Sequence, residues 1–198
     1  MNDRKLTILE AAVFVTLVWA GVALRWHFAY LPNFAPVAAI ALFAGYFFRS
    51  ALVGLAVPLL VMLISDTKLG GYHPIMMVTV YTMLALPVAA RGFLRKRLAA
   101  DSASWRKRLA NVAGLVGCAI VASMAFFIAT NFATWVFSGM YEHTASGLMR
   151  CYVQALPFLR YTLTGDVGFA TVLFSGYALA MSFASSKVRR SEFTFATN

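Results

Sequence analysis

Apolar residues fall into six blocks separated by short polar breaks: Leu6–Trp26, Pro36–Phe48, Ala51–Ile64, Pro74–Phe93, Leu109–Phe137 and Val167–Ala184. Each predicts a helix. The first and fifth are long enough to cross a bilayer unaided. The second and third hold only about fourteen residues, and at 1.5 Å rise per residue neither covers a hydrocarbon core of about 30 Å. They must be tilted, half-buried or shielded by neighbours. Arg49-Ser50 between them is either a true loop or a kink.

Composition agrees with lipid as the main solvent. The 198-residue chain is 61% hydrophobic, 12% charged and has a mean hydropathy of +0.75. A soluble domain of this size cannot hide so much apolar surface. The expectation is an all-α integral membrane protein, one domain over residues 1–198, with about the last dozen residues a basic tail. No small-x-small cleavage site follows the first block, so it reads as a span rather than a cleaved signal.

The net charge is +10. In a soluble protein it would suggest nucleic acid. Here the charges lie between apolar blocks and set topology instead, and no nucleic-acid partner is expected. With both termini inside, 13 of the 17 Lys and Arg residues face the cytoplasm, and Arg25, Lys68, Arg150 and Arg160 face out. That predicts a compact bundle of six transmembrane helices, N-in and C-in. The basic stretch "RGFLRKRLAADSASWRKR" would then lie against the bilayer's anionic head groups.

The polar residues collect on the opposite side. Three outward connections are predicted: "RWHFAYLPNFAP", "SDTKLGGYHP" and a long one from Ser138 to Asp166. They hold all three histidines and most of the tyrosines. Long loops carry function more often than they merely connect. In the third, Glu142, Ala145, Leu148, Met149, Tyr152 and Val153 recur at helical spacing, which predicts a short helical lid ended by Pro157. These outer segments and the adjoining span ends supply the candidate binding residues: Tyr30, Asn33, Phe34, Asp66, Tyr72, His73, Tyr81, Asn131, Tyr141, His143, Arg160, Tyr161 and Asp166. Gly70 and Gly71 would let backbone approach a ligand, and Tyr72 and His73 would offer it a ring face and a nitrogen.

Several of these have plainer readings. Asp166 suits the N-cap of the last span. Asp66 is either an interfacial turn carboxylate or a partner for Arg160, Lys68 or a ligand. Asn131, inside a span, bonds either a neighbouring helix or a substrate. Pro74 after His73 suits a helix N1 position. Ala125/Ala129/Ala133, Ala110/Gly114, Ala113/Gly117 and Thr16/Ala20 form small-xxx-small ladders for helix packing or a docked subunit.

Catalytic signatures are missing. The chain has no CxxC, HExxH, Walker A or GxGxxG, and no Ser/His/Asp spacing that argues for a hydrolase. Cys118 and Cys151 do not make a disulfide framework, and the three histidines have no metal-ligand spacing. A binding protein without enzymatic activity or an intrinsic cofactor is expected.

The stretches "LPNFAPVAAIALFAGYFF", "VPLLVMLISDTKLGGYH", "TNFATWVFSG" and "ALPFLRYTLTGD" resemble the substrate-binding S components of energy-coupling-factor vitamin transporters. They come nearest to the BtuM family of solitary cobalamin S components, and the similarity runs from about Leu6 to Ala184. The resemblance implies one vitamin, cobalamin or a related corrinoid, cradled by the outer loops and released inward. It also implies a partner module of one transmembrane scaffold and two ATPases, since this chain carries no ATP motif. A cysteine serves as cobalt ligand in the cobalamin relative. "YHPIMMVTVY" has none, which makes His73 the nearest axial ligand, with Cys151 and His143 as alternatives.

Overall fold

The unpaired backbone groups at the end of an apolar helix decide where it can stop. The structure is a computed structural model describing residues 3–31, 33–70, 73–98 and 105–196. Seven helices occupy these residues: α1 Asp3–His27, α2 Val37–Phe47, α3 Ala51–Leu69, α4 Pro74–Ala89, α5 Arg91–Leu98, α6 Trp105–Phe137 and α7 Ala145–Ala196. Five helical stretches are long and apolar enough to cross a membrane: Thr7–His27, Ala51–Leu69, Pro74–Leu98, Leu109–Phe137 and Ala145–Phe183.

The helix α2 is the exception, with 11 residues. It rises only about 16 Å, half of a hydrocarbon core. Its neighbours solve this by surrounding it. Nearly every α2 side chain is buried, from Val37 through Ala39–Gly45, and α3, α4 and α7 pack around it. Its carbonyl end would be costly in an apolar setting. Two arginines from the basic stretch meet that need. Arg95 donates Nε to the Tyr46 carbonyl at 2.9 Å and Nη2 to Phe48 O, while Arg91 donates to Arg49 O and, at 3.5 Å, to Phe48 O. Part of the stretch expected to lie on lipid is thus a cap for a half-length helix, which only the tertiary arrangement reveals.

Arg49-Ser50 is a true break rather than a kink. Phe48 is extended, with ψ 131°, and the Ser50 hydroxyl accepts from Val53 N at 3.4 Å to start α3. The helix α3 runs on past Ile64 through Asp66 to Leu69, so the first half of "SDTKLGGYHP" is helix, not loop. Gly70 closes it with φ +88°, a conformation other residues adopt at a cost. Pro74 opens α4 at its first turn, as expected.

The largest departure from the expected elements is α7. The predicted lid and last span are one continuous 52-residue helix. Pro157 does not end it. The helix is capped by Thr144, whose Oγ1 accepts from Gly147 N at 3.1 Å. Asp166 is therefore mid-helix and is not an N-cap. A proline removes one helical hydrogen bond but does not stop a helix held by neighbours, and α6 holds this one: Tyr152 OH donates to the Ile128 carbonyl at 2.8 Å.

Helices approach closely where glycines allow it. A Cβ on Gly45 would lie 3.1 Å from the Val88 Cα and 3.2 Å from its carbonyl oxygen. Backbone cannot swing aside as a side chain can, so α2 and α4 would have to part. We expect Gly45→Ala to destabilise the bundle by about 1–3 kcal/mol, read as a lower thermal midpoint in detergent; an unchanged midpoint would mean the helices are not in contact there. The predicted small-residue ladders divide: Ala133 is buried, whereas a Cβ on Gly117 would meet nothing within 4 Å.

Candidate functional site

The end of the bundle away from α5 holds a cavity of about 790 Å³. Every helix except α5 contributes to it: the end of α1, the start of α2, the end of α3, the start of α4, the second half of α6 and the first half of α7. The volume lies within the range of pockets that enclose drug-sized ligands.

One wall is apolar, built from Val37, Ala38, Met62, Met76, Val80 and Leu84. Phe34 and Phe28 stand at its lip, edge to face at 5.0 Å. Beside them Asn33 turns the chain with φ +60°, a left-handed conformation that asparagine tolerates better than most residues. The facing wall is polar. Thr130, Asn131 and Thr134 lie on one face of α6, and their donors bond back along the helix: Thr130 Oγ1 to Phe126 O at 2.8 Å, Asn131 Nδ2 to Phe127 O at 2.8 Å and Thr134 Oγ1 to Thr130 O at 2.9 Å. With the hydroxyl protons used inward, Thr130 and Thr134 are left with oxygen acceptors, and Asn131 keeps its amide oxygen and one N–H for a ligand. Across from them α7 brings Cys151, Gln154, Ala155, Thr162 and Asp166. The Cys151 thiol is buried and donates to Asn131 O at 3.4 Å, and Tyr141 donates to Gln154 Oε1 at 2.7 Å. Asp166 Oδ2 lies 2.6 Å from Ser123 Oγ.

A second polar cluster braces the cavity. Arg25, 9% exposed, lines it and pairs through Nη1 with Asp66 Oδ1 at 2.8 Å. The same nitrogen meets Ser65 Oγ. Tyr81 donates its hydroxyl to Asp66 Oδ2 at 2.9 Å, and Trp26 Nε1 donates to Ser65 O at 3.2 Å. Three helices, α1, α3 and α4, are tied by this cluster. The carboxylate uses both oxygens on protein partners, so the pairing of Asp66 is with Arg25, and not with Lys68 or Arg160. Lys68 instead lies over the Trp26 ring at 4.9 Å, and Arg160 over its neighbour Tyr161 at 4.9 Å.

Of the residues expected to bind, Asn33, Phe34, Asn131, Tyr141 and Asp166 line the cavity. Asp66 and Tyr81 stand one layer behind Arg25. Tyr30 is 70% exposed outside the cavity. Arg160 and Tyr161 bond each other at 3.2 Å and do not line it. His143 contacts the Val136 carbonyl at 3.1 Å and the Trp135 ring at 5.5 Å, and His73 is the exposed residue before α4; neither reaches the cavity wall. Tyr72 lies outside the described residues. Among the described residues no group of three His, Cys, Asp or Glu side chains could hold a metal ion.

Sequence reasoning missed Arg25, Thr130, Thr134, Gln154 and, as more than an alternative, Cys151. The i, i+1, i+4 spacing of Thr130, Asn131 and Thr134 was a usable signal, since it puts three polar groups on one side of an otherwise apolar helix. Nothing local marks Cys151, whose position depends on α7 being continuous.

A family model matches residues 5–189. The chain belongs to DUF6580, a family of unknown function. Neither a characterised protein nor a solved structure matches it. Family membership covers the whole cavity, so the site is part of the shared domain and not of an appended segment.

Proposed function

We propose that this chain is a membrane-embedded binding subunit that captures cobalamin or a related corrinoid from the non-cytoplasmic face. The cavity carries the reading: one apolar wall, one wall of amide and hydroxyl acceptors, and a buried thiol beside them. A corrin is an apolar macrocycle rimmed by amides around a cobalt ion, and those surfaces match in kind. Its ring would lie against Val37, Met62 and Leu84, its amides against Asn131, Thr134 and Gln154, and Cys151 would offer the soft donor that cobalt accepts. A whole cobalamin is larger than the cavity, so its nucleotide tail would stand in the mouth beside Tyr141. On this reading bound cobalamin is cargo, not a resident cofactor.

The topology that goes with this reading is N-in and C-in, with the basic α5 facing the cytoplasm. Six helical passes arise if the short α2 counts as one, and the start of α7 with the Met140–Tyr141 turn takes the place of a lid. Energy for inward release would come from partner ATPases and a membrane scaffold, since the sequence carries no Walker A motif. The chain itself would bind and not catalyse.

The test is spectral. Purified protein mixed with hydroxocobalamin and freed of excess ligand should remain coloured, with an altered visible spectrum. Cys151→Ser should lose that alteration and weaken binding about tenfold or more, some 1.4 kcal/mol. A colourless protein after mixing would exclude corrinoids. A second small vitamin would then be sought by mass spectrometry of what co-purifies.

A further inference from the structure

Asp166 is 4% exposed and lines the cavity. Its contact with Ser123 raises a question of proton count. Ser123 Oγ lies 2.6 Å from Asp166 Oδ2 and 2.9 Å from the Ala119 carbonyl oxygen. A hydroxyl has one proton to donate, and a carbonyl oxygen can only accept. If the serine proton goes to Ala119, the usual return bond of a helical serine, the 2.6 Å contact needs a proton of its own. That distance is at the short end for an O–H···O bond. An ionised carboxylate has no proton to give. The neutral acid has one, and places it on Oδ2.

The surroundings point the same way. Among the described residues α7 packs against α6 and α2. From Leu109 to Phe137, α6 contains no charged side chain and, of titratable ones, only Cys118; α2 contributes only Tyr46. Across the cavity stands Arg25, already held by Asp66; Cys151 lines it from α7 itself and Tyr141 from the turn before α7. An ionised Asp166 would lack the paired cation that a buried charge requires. Its other oxygen, Oδ1, has no protein partner among the described residues. No fully enclosed side-chain oxygen in the described bundle is without one, so Oδ1 opens on the cavity.

We propose that Asp166 is a proton-binding site in the cavity wall, resting as a carboxylic acid with Oδ2–H donated to Ser123 and Oδ1 presented to an amide N–H of the ligand. A neutral acid offers that acceptor without burying a charge. The ligand half of this rests on the corrinoid reading; the proton half does not.

Infrared difference spectroscopy tests both. At neutral pH the wild-type protein should show the carbonyl stretch of a protonated carboxylic acid, shifted in deuterium oxide. Asp166→Asn should lose the band and Ser123→Ala should move it to higher frequency, as the acceptor of its proton is removed. Carbon-13 aspartate labelling shifts the band in wild-type protein, which assigns it to aspartate even if Asp166→Asn does not fold. No such band in the wild type, or a band untouched by both variants, overturns the proton site. Hydroxocobalamin should then lower the band's frequency as Oδ1 accepts a bond. Cobalamin bound with the band unmoved overturns the ligand half. Cobalamin not bound at all overturns the corrinoid reading, while the first band still decides the proton site.

Discussion

Arg25→Ala is expected to cost the fold about 3–5 kcal/mol, the usual penalty for removing one partner of a buried ion pair. Asp66 is only 8% exposed and has two direct partners, Arg25 and Tyr81. Without the guanidinium its charge keeps one neutral hydrogen bond in an apolar setting, and Ser65 loses a donor as well. The three helices that meet there would separate first at the cavity. Asp66→Ala should be similarly damaging, because it leaves Arg25 unpaired. The double variant should cost clearly less than the two single losses combined, since neither charge then remains. Unfolding of purified protein in mixed micelles measures all three. Additive losses, or a single loss below about 1 kcal/mol, which is what an exposed pair contributes, would mean the pair is hydrated and does not brace the bundle.

Filling the cavity is expected to have the largest effect on binding. Thr130 is half-buried on α6 and lines the cavity. Thr130→Trp would place an indole between the α6 and α7 walls. Cobalamin affinity should fall at least about a hundredfold, close to 2.7 kcal/mol, because the ring cannot share the volume. The thermal midpoint should hold, since the indole enters space that is free. Val172→Trp serves as comparison: Val172 is 69% exposed on α7 and faces away from the cavity. It should leave affinity unchanged. Equal binding by wild type and Thr130→Trp would show that ligand binds elsewhere, and the corrinoid site would have to be abandoned.

Both variants depend on contacts between residues far apart in the chain, and this separates what could be read in advance from what could not. Helix positions were legible because the sequence alternates long apolar blocks with polar breaks, and hydrocarbon length sets how long a block must be. Pro74 marked the start of α4, since φ preferences act locally, whereas α3 was expected to end at Ile64 and runs on to Leu69. The collection of polar groups at one end was legible for the same reason, and Asn33, Phe34, Asn131, Tyr141 and Asp166 do meet there.

Which polar groups face inward was not. The register of Asp66 against Arg25, 41 positions apart, follows from how α1 packs on α3. The histidines were conspicuous by chemistry, yet His73 and His143 sit in the connections before α4 and α7, outside the wall, whereas the inconspicuous Cys151 is turned onto it. Pro157 suggested a stop, but neighbouring helices keep α7 going and so carry Asp166 from an expected cap to a cavity wall. The sequence by itself determined a lipid-embedded set of helices with polar groups gathered at one end, because hydropathy and backbone preference act residue by residue. Tertiary structure alone decided that a half-length helix is capped by arginines, that Asp66 is occupied by Arg25, and that a cavity exists, because each depends on rotation and register between helices that no local preference encodes.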